Sequence, residues 1–174
     1  MIYLTIFLIL NRVRKVVINL ERKEKNNYYL DIAQTISERA TCLRRKYGAI
    51  IVKNDEIIST GYCGSPRNAK NCTCLGSCRR DELNIPSGER YELCRSVHAE
   101  MNAIISAARR DMIGSVLYLV GVDAKTGDIV KDAEPCMLCK RVIINAGISF
   151  VIIRNTANEF TLMQPANWIF NEQV

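Results

Sequence analysis

The sequence predicts an α/β fold in which one mixed sheet is covered by helices on both faces. Three observations carry this expectation. Helical and strand patterns alternate along the chain in the order helix, hairpin, helix, strand, helix, strand. Two of the strand patterns are joined by the tight pair Asn54-Asp55 and so form a hairpin. The 174 residues suit one compact domain able to bury a core without disulfide staples.

The elements follow in order. Leu30, Ile32, Ala33 and Ile36 form a helical stripe from Tyr28 to about Ala40. Gly48 to Lys53 reads as a strand, and Glu56 to Tyr62 as its hairpin partner. Gly64 to Arg95 is irregular, basic and holds four cysteines; a loop of that length in a compact domain is functional, disordered or tied by metal. His98 to Arg110 reads as a helix with Met101, Ile104, Ile105 and Ala108 on its buried side. Ser115 to Val122 is a strand, and Asp123 to Asp132 a polar loop turning at Thr126-Gly127. Pro135 opens and Gly147 ends a helix over Cys136 to Ala146. Ser149 to Arg154 is the last clear strand, and no element is assigned after Asn155.

Composition excludes whole classes. Charged residues at 24% and a mean hydropathy of −0.02 rule out wholesale disorder, collagen-like repetition and a polytopic membrane protein. The +6 net charge is a mild bias, short of the clustered basic face of a nucleic-acid binder, and suits small anionic ligands equally. The apolar run Met1 to Leu10 is shorter than the roughly 20 residues of a membrane span. It also lacks the preceding basic residues and cleavage site of a secretory signal. Residues 1–25 therefore read as an N-terminal extension: an extra strand, a docking segment, an early start site or a membrane-surface anchor. Without an export signal, eight cysteines point to metal or catalytic thiols in a reducing cytoplasm.

Two short segments carry the chemistry, Val97-His98-Ala99-Glu100 and Glu134-Pro135-Cys136-Met137-Leu138-Cys139. Cys136 and Cys139 share one face of a helical first turn, where dipole and free amides favour thiolates. Two thiolates and the chain's single histidine, His98, make a three-ligand zinc set whose open fourth position takes water and lowers its pKa to about 7. Glu100 is placed beside that water as a proton shuttle. A lone histidine or a lone Cys-x-x-Cys is weak; the two segments together are specific, because His-x-Glu with Pro-Cys-x-x-Cys is the signature of zinc-dependent nucleobase deaminases.

With those residues, the chain resembles the deoxycytidylate deaminase branch of the cytidine deaminase superfamily from about Tyr28 to Arg154. The shared segments are Arg39 to Arg44, Tyr47 to Val52, Gly61-Tyr62-Cys63-Gly64, His98 to Ile104, and Pro135 through Ile148. The resemblance implies a three-layer α/β/α sandwich over residues 26–174, with zinc on His98, Cys136 and Cys139 and Glu100 as the shuttle. It also implies conversion of dCMP to dUMP and ammonia in support of thymidylate supply, a homo-oligomer, and dCTP or dTTP as effectors. Arg44, Cys63, Gly64 and Ala99 are the substrate contacts it implies, with Arg44 as a bidentate phosphate donor. Arg67, Arg79, Arg80, Arg90 and Arg95 are secondary donors. Two departures stand out: Cys63 replaces the family's Asn with a weak thiol donor, and the Tyr118–Pro135 connection, which in the family supplies an aromatic near the base, is longer.

Some relatives of this branch hold a structural zinc before His-Ala-Glu. Here Cys42, Cys72, Cys78 and Cys94 are the expected ligands, with Cys74 as alternate for Cys72 or Cys78. Its physical motive is to tie a loop with no core of its own. Rival substrates are another cytosine nucleotide, a nucleoside or a tRNA adenosine. The tRNA enzymes usually lack the Gly-Tyr-x-Gly turn and the cysteine-rich loop, and nucleoside enzymes typically put Cys where His98 stands. A rival of another class is a zinc-stabilised DNA-binding module with a vestigial site, against which the intact His-x-Glu speaks.

Overall fold

The computed structural model describes residues 22–86 and 88–170. The apolar run at Met1 to Leu10 lies outside the described residues. Helix α1 (Lys25–Ser37) begins where the Glu24 carboxylate accepts the backbone N–H of Asn26 and Asn27 at 2.9 and 2.8 Å. It starts three residues earlier than the apolar stripe suggests, because the cap and not the stripe sets its end. Strands β1 (Arg45–Lys53) and β2 (Glu56–Tyr62) pair antiparallel. Asn54 and Asp55 take φ of 51° and 68° in the turn between them, the left-handed pair that twists a two-residue hairpin correctly.

The irregular stretch contains two one-turn helices, α2 (Cys72–Leu75) and α3 (Arg79–Glu82), and a 3₁₀ turn at Tyr91–Leu93. Helix α4 (Ala99–Ile105) is shorter than its expected span to Arg110. Ser106 Oγ donates to Asn102 O at 2.8 Å, and the amides of Ser106 and Ala107 bond three residues back. That tightening ends the helix. A separate turn, α5 (Arg109–Met112), follows. Ile105 is 76% exposed and Ala108 is exposed, so the expected buried side is wrong for these two; Ala99, Glu100 and Ala103 are the buried ones. Strand β3 (Val116–Asp123), helix α6 (Met137–Ala146) and strand β4 (Phe150–Arg154) sit within a residue of expectation. Strand β5 (Phe160–Met163) and helix α7 (Pro165–Phe170) occupy the tail after Asn155, for which the sequence predicts no element.

The sheet has five strands in the order β2-β1-β3-β4-β5, parallel only between β3 and β4. Because side chains alternate along β1, Ala49 and Ile51 join one core with α4 and α6, while Ile50 and Val52 join the other beneath α1. This is the three-layer α/β/α arrangement. Helices α1 and α4 each come close at a glycine. A Cβ on Gly48 would lie 2.1 Å from Ala33 O in α1, and one on Gly61 would lie 2.2 Å from Ala99 O in α4. The second approach positions the site.

Candidate active site

Two helix starts meet above the sheet. His98 is the N-cap of α4 and Cys136 the N-cap of α6, with Cys139 one turn in. Gly64 and Val97 exchange backbone hydrogen bonds of 3.2 and 2.8 Å, which fixes the chain entering α4. Nδ1 of His98 stands 3.5 Å from Cys136 Sγ and 3.4 Å from Cys139 Sγ. A tetrahedral zinc bound at about 2.3 Å to sulfur and about 2.0 Å to nitrogen separates those atoms by about 3.5 Å, so the donor set fits the ion. Among the described residues this is the one group of three ligating side chains whose donor atoms all lie within 4.8 Å.

The environment of these groups is electrostatically coupled. A hydrogen bond from Cys139 lowers Cys136 to about 4, with His98 adding to the effect against burial. The same bond and burial push Cys139 up. Burial opposes charge on His98, but the Cys136 bond and the Glu100 charge together raise its pKa. Glu100 is 5% exposed, and burial raises its pKa despite the opposing His98 charge. A carboxyl raised in this way is suited to accept and return a proton near neutral pH.

Glu100, His98 and Cys136 open onto a cavity. Three of the residues expected to contact substrate, Arg44, Cys63 and Ala99, line it; Gly64 does not, and acts through its bridge to Val97. Arg44 Nη1 is 3.3 Å from an Asp81 carboxylate oxygen. The buried Cys63 thiol accepts from Tyr47 N at 3.2 Å and donates to Arg45 O at 3.6 Å, so its polar capacity is spent on β1. Burial raises that thiol to about 12. Cys42, Cys78 and Cys94 line the same cavity, Cys72 is buried, and Cys74 is exposed. Of the secondary arginines, Arg67, Arg79 and Arg90 are exposed. Arg95 donates to Ser77 O and pairs with Glu82. Arg80 is buried in the cavity wall.

Sequence reasoning missed Arg45, Tyr47, Tyr91 and Glu134 in the lining. Tyr47 pairs across the sheet with Gly121, where a Cβ would fall 2.6 Å from the tyrosine ring, a register visible only in the structure. Tyr91 meets the His98 ring edge-on, centroids 5.2 Å apart. Tyr47 and Tyr91 are thus the aromatic surfaces of the cavity, whereas Tyr118 is buried on the opposite face and donates to Asn26 Oδ1. Glu134 is held at the rim by Lys140 Nζ at 3.2 Å, itself 5.2 Å over the Trp168 ring.

Comparison with known proteins agrees with this geometry. Residues 23–155 match the family described as the cytidine and deoxycytidylate deaminase zinc-binding region. A deoxycytidylate deaminase of Mycobacterium phage D29 is 34% identical over 138 residues, covering 76% of this chain and 96% of the phage protein. A deoxycytidylate deaminase of Schizosaccharomyces pombe is 30% identical over 139 residues; the match spans 79% of this chain but 39% of the yeast protein. Among solved structures, a dCMP deaminase from cyanophage S-TIM5 in complex with dCMP and dUMP superposes with a TM-score of 0.53 at 26% identity, covering 78% of this chain and 85% of that one.

Proposed function

The chain belongs to the cytidine and deoxycytidylate deaminase zinc-binding family, and on that premise we propose that it hydrolyses dCMP to dUMP and ammonia. The observation that carries the reading is a buried carboxyl, Glu100, two residues from His98 at a three-donor site that fits zinc. The substrate follows from the phage D29 protein and the cyanophage complex.

His98, Cys136 and Cys139 hold the zinc, which when bound supplies a Lewis acid that makes water nucleophilic at neutral pH. The chain's own residues do the rest. Water adds to C4 of the ring while Glu100 takes one of its protons and delivers it to N3. Glu100 then carries the second proton from the new C4 hydroxyl to the amine, which departs as ammonia as the C4 carbonyl forms. Ala99 and Cys63 pack against the ring side of the cavity, Gly64 fixes the chain before His98, and Arg44 meets the phosphate at the mouth.

We propose a second, structural zinc on Cys42, Cys72, Cys78 and Cys94, with exposed Cys74 outside it; no three of these sulfurs lie within 4.8 Å of one another, so the ion would have to draw them together. In support, burial first and then the charges of Cys42, Cys94 and Cys78 raise the Cys72 thiol, so Cys72 feels each of the other three. Sγ of Cys42 and of Cys94 each accept the backbone N–H two residues on, at 3.5 Å. Wild type is expected to carry two zinc ions per chain by elemental analysis and Cys94→Ser one; a single ion in both removes the second site. Residues 26–174 form the deaminase domain of a cytoplasmic homo-oligomer that feeds thymidylate synthesis and responds to dCTP and dTTP. Among the described residues no helix is long and apolar enough to cross a membrane.

The test is ammonia release by the zinc-loaded protein from dCMP, CMP, dCTP, deoxycytidine and a tRNA. Preference for dCMP is the expected result. Release from another member of the panel replaces the substrate. Steeply salt-dependent DNA binding without any release replaces the enzyme by a binding module.

A further inference from the structure

Resting on the reading of the substrate as a nucleotide, we propose that Arg80 is the principal receptor for its 5′-phosphate and so the residue that separates nucleotide from nucleoside. Arg80 is 7% exposed and lines the cavity that holds His98 and Glu100. A buried guanidinium cannot shed its proton and is costly without a counter-ion. Three arginines of the same region have one. Arg44 pairs with Asp81, Arg95 with Glu82 and Arg90 with Glu92. The two carboxylates that follow Arg80 in α3 are thus committed to other arginines.

Arg80 itself has no carboxylate partner among the described residues. Its Nη2 donates to two neutral carbonyls, Pro86 O at 2.6 Å and Glu89 O at 2.7 Å, and its buried Nε has no partner. Those carbonyls orient the fork without supplying a counter-charge, and the acid that feels the guanidinium, Glu92, is bonded to Arg90. The guanidinium carbon lies 4.6 Å from the centroid of Tyr91, whose ring in turn meets His98. One aromatic ring therefore separates the charge from the zinc ligand, a spacing that suits a nucleotide whose base is at Glu100 and whose phosphate is at Arg80. Arg44, shared with Asp81 and one-third exposed, supplies a second and weaker contact.

Two readouts test this, one of them free of turnover. Calorimetry with 2-deoxyribose 5-phosphate, which has no base, should show binding to the zinc-loaded wild type. Arg80→Gln should weaken that binding about 30-fold or more, and Arg80→Lys less. In turnover, the ratio of kcat/KM for dCMP over deoxycytidine should fall by a similar factor in Arg80→Gln. Equal losses on both substrates would mark a merely structural residue and overturn the proposal. So would wild-type binding of 2-deoxyribose 5-phosphate no tighter than of 2-deoxyribose. If Arg80→Gln does not fold, Arg80→Lys decides: a lowered ratio with turnover of deoxycytidine retained supports Arg80, and an unchanged ratio with unchanged binding of 2-deoxyribose 5-phosphate overturns it. Failure of the dCMP reading appears separately, as absence of ammonia from dCMP with wild type.

Discussion

The two faces of the sheet handle buried polarity in opposite ways. Beneath α1 the charged and phenolic groups have partners, with only Asn27 Oδ1 and Arg154 Nε left over: Tyr118 donates to Asn26, Tyr29 to Asp55, and Arg154 to Asp31 and the Asn27 carbonyl. Under α4 and α6, a carboxyl, two sulfurs and an imidazole crowd together at a cavity, and Arg80 in its wall is left without an acid. The paired face is organised for stability. The other keeps unmet electrostatic demand, which only a metal and an anionic substrate can satisfy.

The sharpest break in this contrast is Glu100→Gln. Turnover should fall about 10³-fold, since both proton transfers use this carboxyl. The melting temperature should stay level or rise, because burial already disfavours the charged form. Single-turnover ammonia release and thermal melts at equal zinc content check the pair of outcomes. A large loss of stability with modest loss of turnover would place Glu100 with the paired groups of the other face.

A second comparison uses the two close approaches. Alanine at Gly48 puts a Cβ 2.1 Å from Ala33 O, and alanine at Gly61 puts one 2.2 Å from Ala99 O and 2.3 Å from Ala103 N. Each should cost about 3 kcal/mol, since a backbone carbonyl must move. Gly48→Ala displaces α1 and should keep its zinc and its turnover per folded molecule. Gly61→Ala displaces α4, whose cap is His98, and should lose about 10-fold or more in zinc affinity as well. Denaturant melts and zinc titration against a chromophoric chelator separate the two.

This asymmetry also explains what could be read in the sequence. Strands β1 to β4, α1 and α6 were legible because their periodicity reports burial on a sheet, and His98, Glu100, Cys136 and Cys139 because their spacing is set locally by helix starts. Residues 160–170 were not, since a four-residue strand and a six-residue helix hold too few positions to show a period. The cavity wall was harder still. Arg80 and Tyr91 stand in a stretch with no repeat, and what distinguishes Arg80 from its exposed neighbour Arg79 is burial and the prior commitment of nearby carboxylates. Neither property can be read from spacing.

The smallest expected effect is on the paired face and gives it a pH signature. Burial alone would raise the Asp31 carboxyl, but hydrogen bonds from Lys23 and from Arg154, the latter at 2.7 Å, more than offset it and hold the pKa below 3.8. A carboxyl lowered on folding contributes its full stability above its unfolded pKa and loses that contribution as pH falls through the folded value. Asp31→Asn should therefore cost about 1 kcal/mol at pH 7, a figure kept small because the carboxylate is 43% exposed. The cost should shrink as pH falls below about 4 and vanish once the wild-type carboxyl is protonated too. Thermal melts from pH 2 to 7 measure the convergence. Turnover per folded molecule at pH 7 should be unchanged, because no group of this network touches the cavity under α4. A pH-independent penalty would mean that Asp31 acts by shape, and that charge on this face does not set its stability.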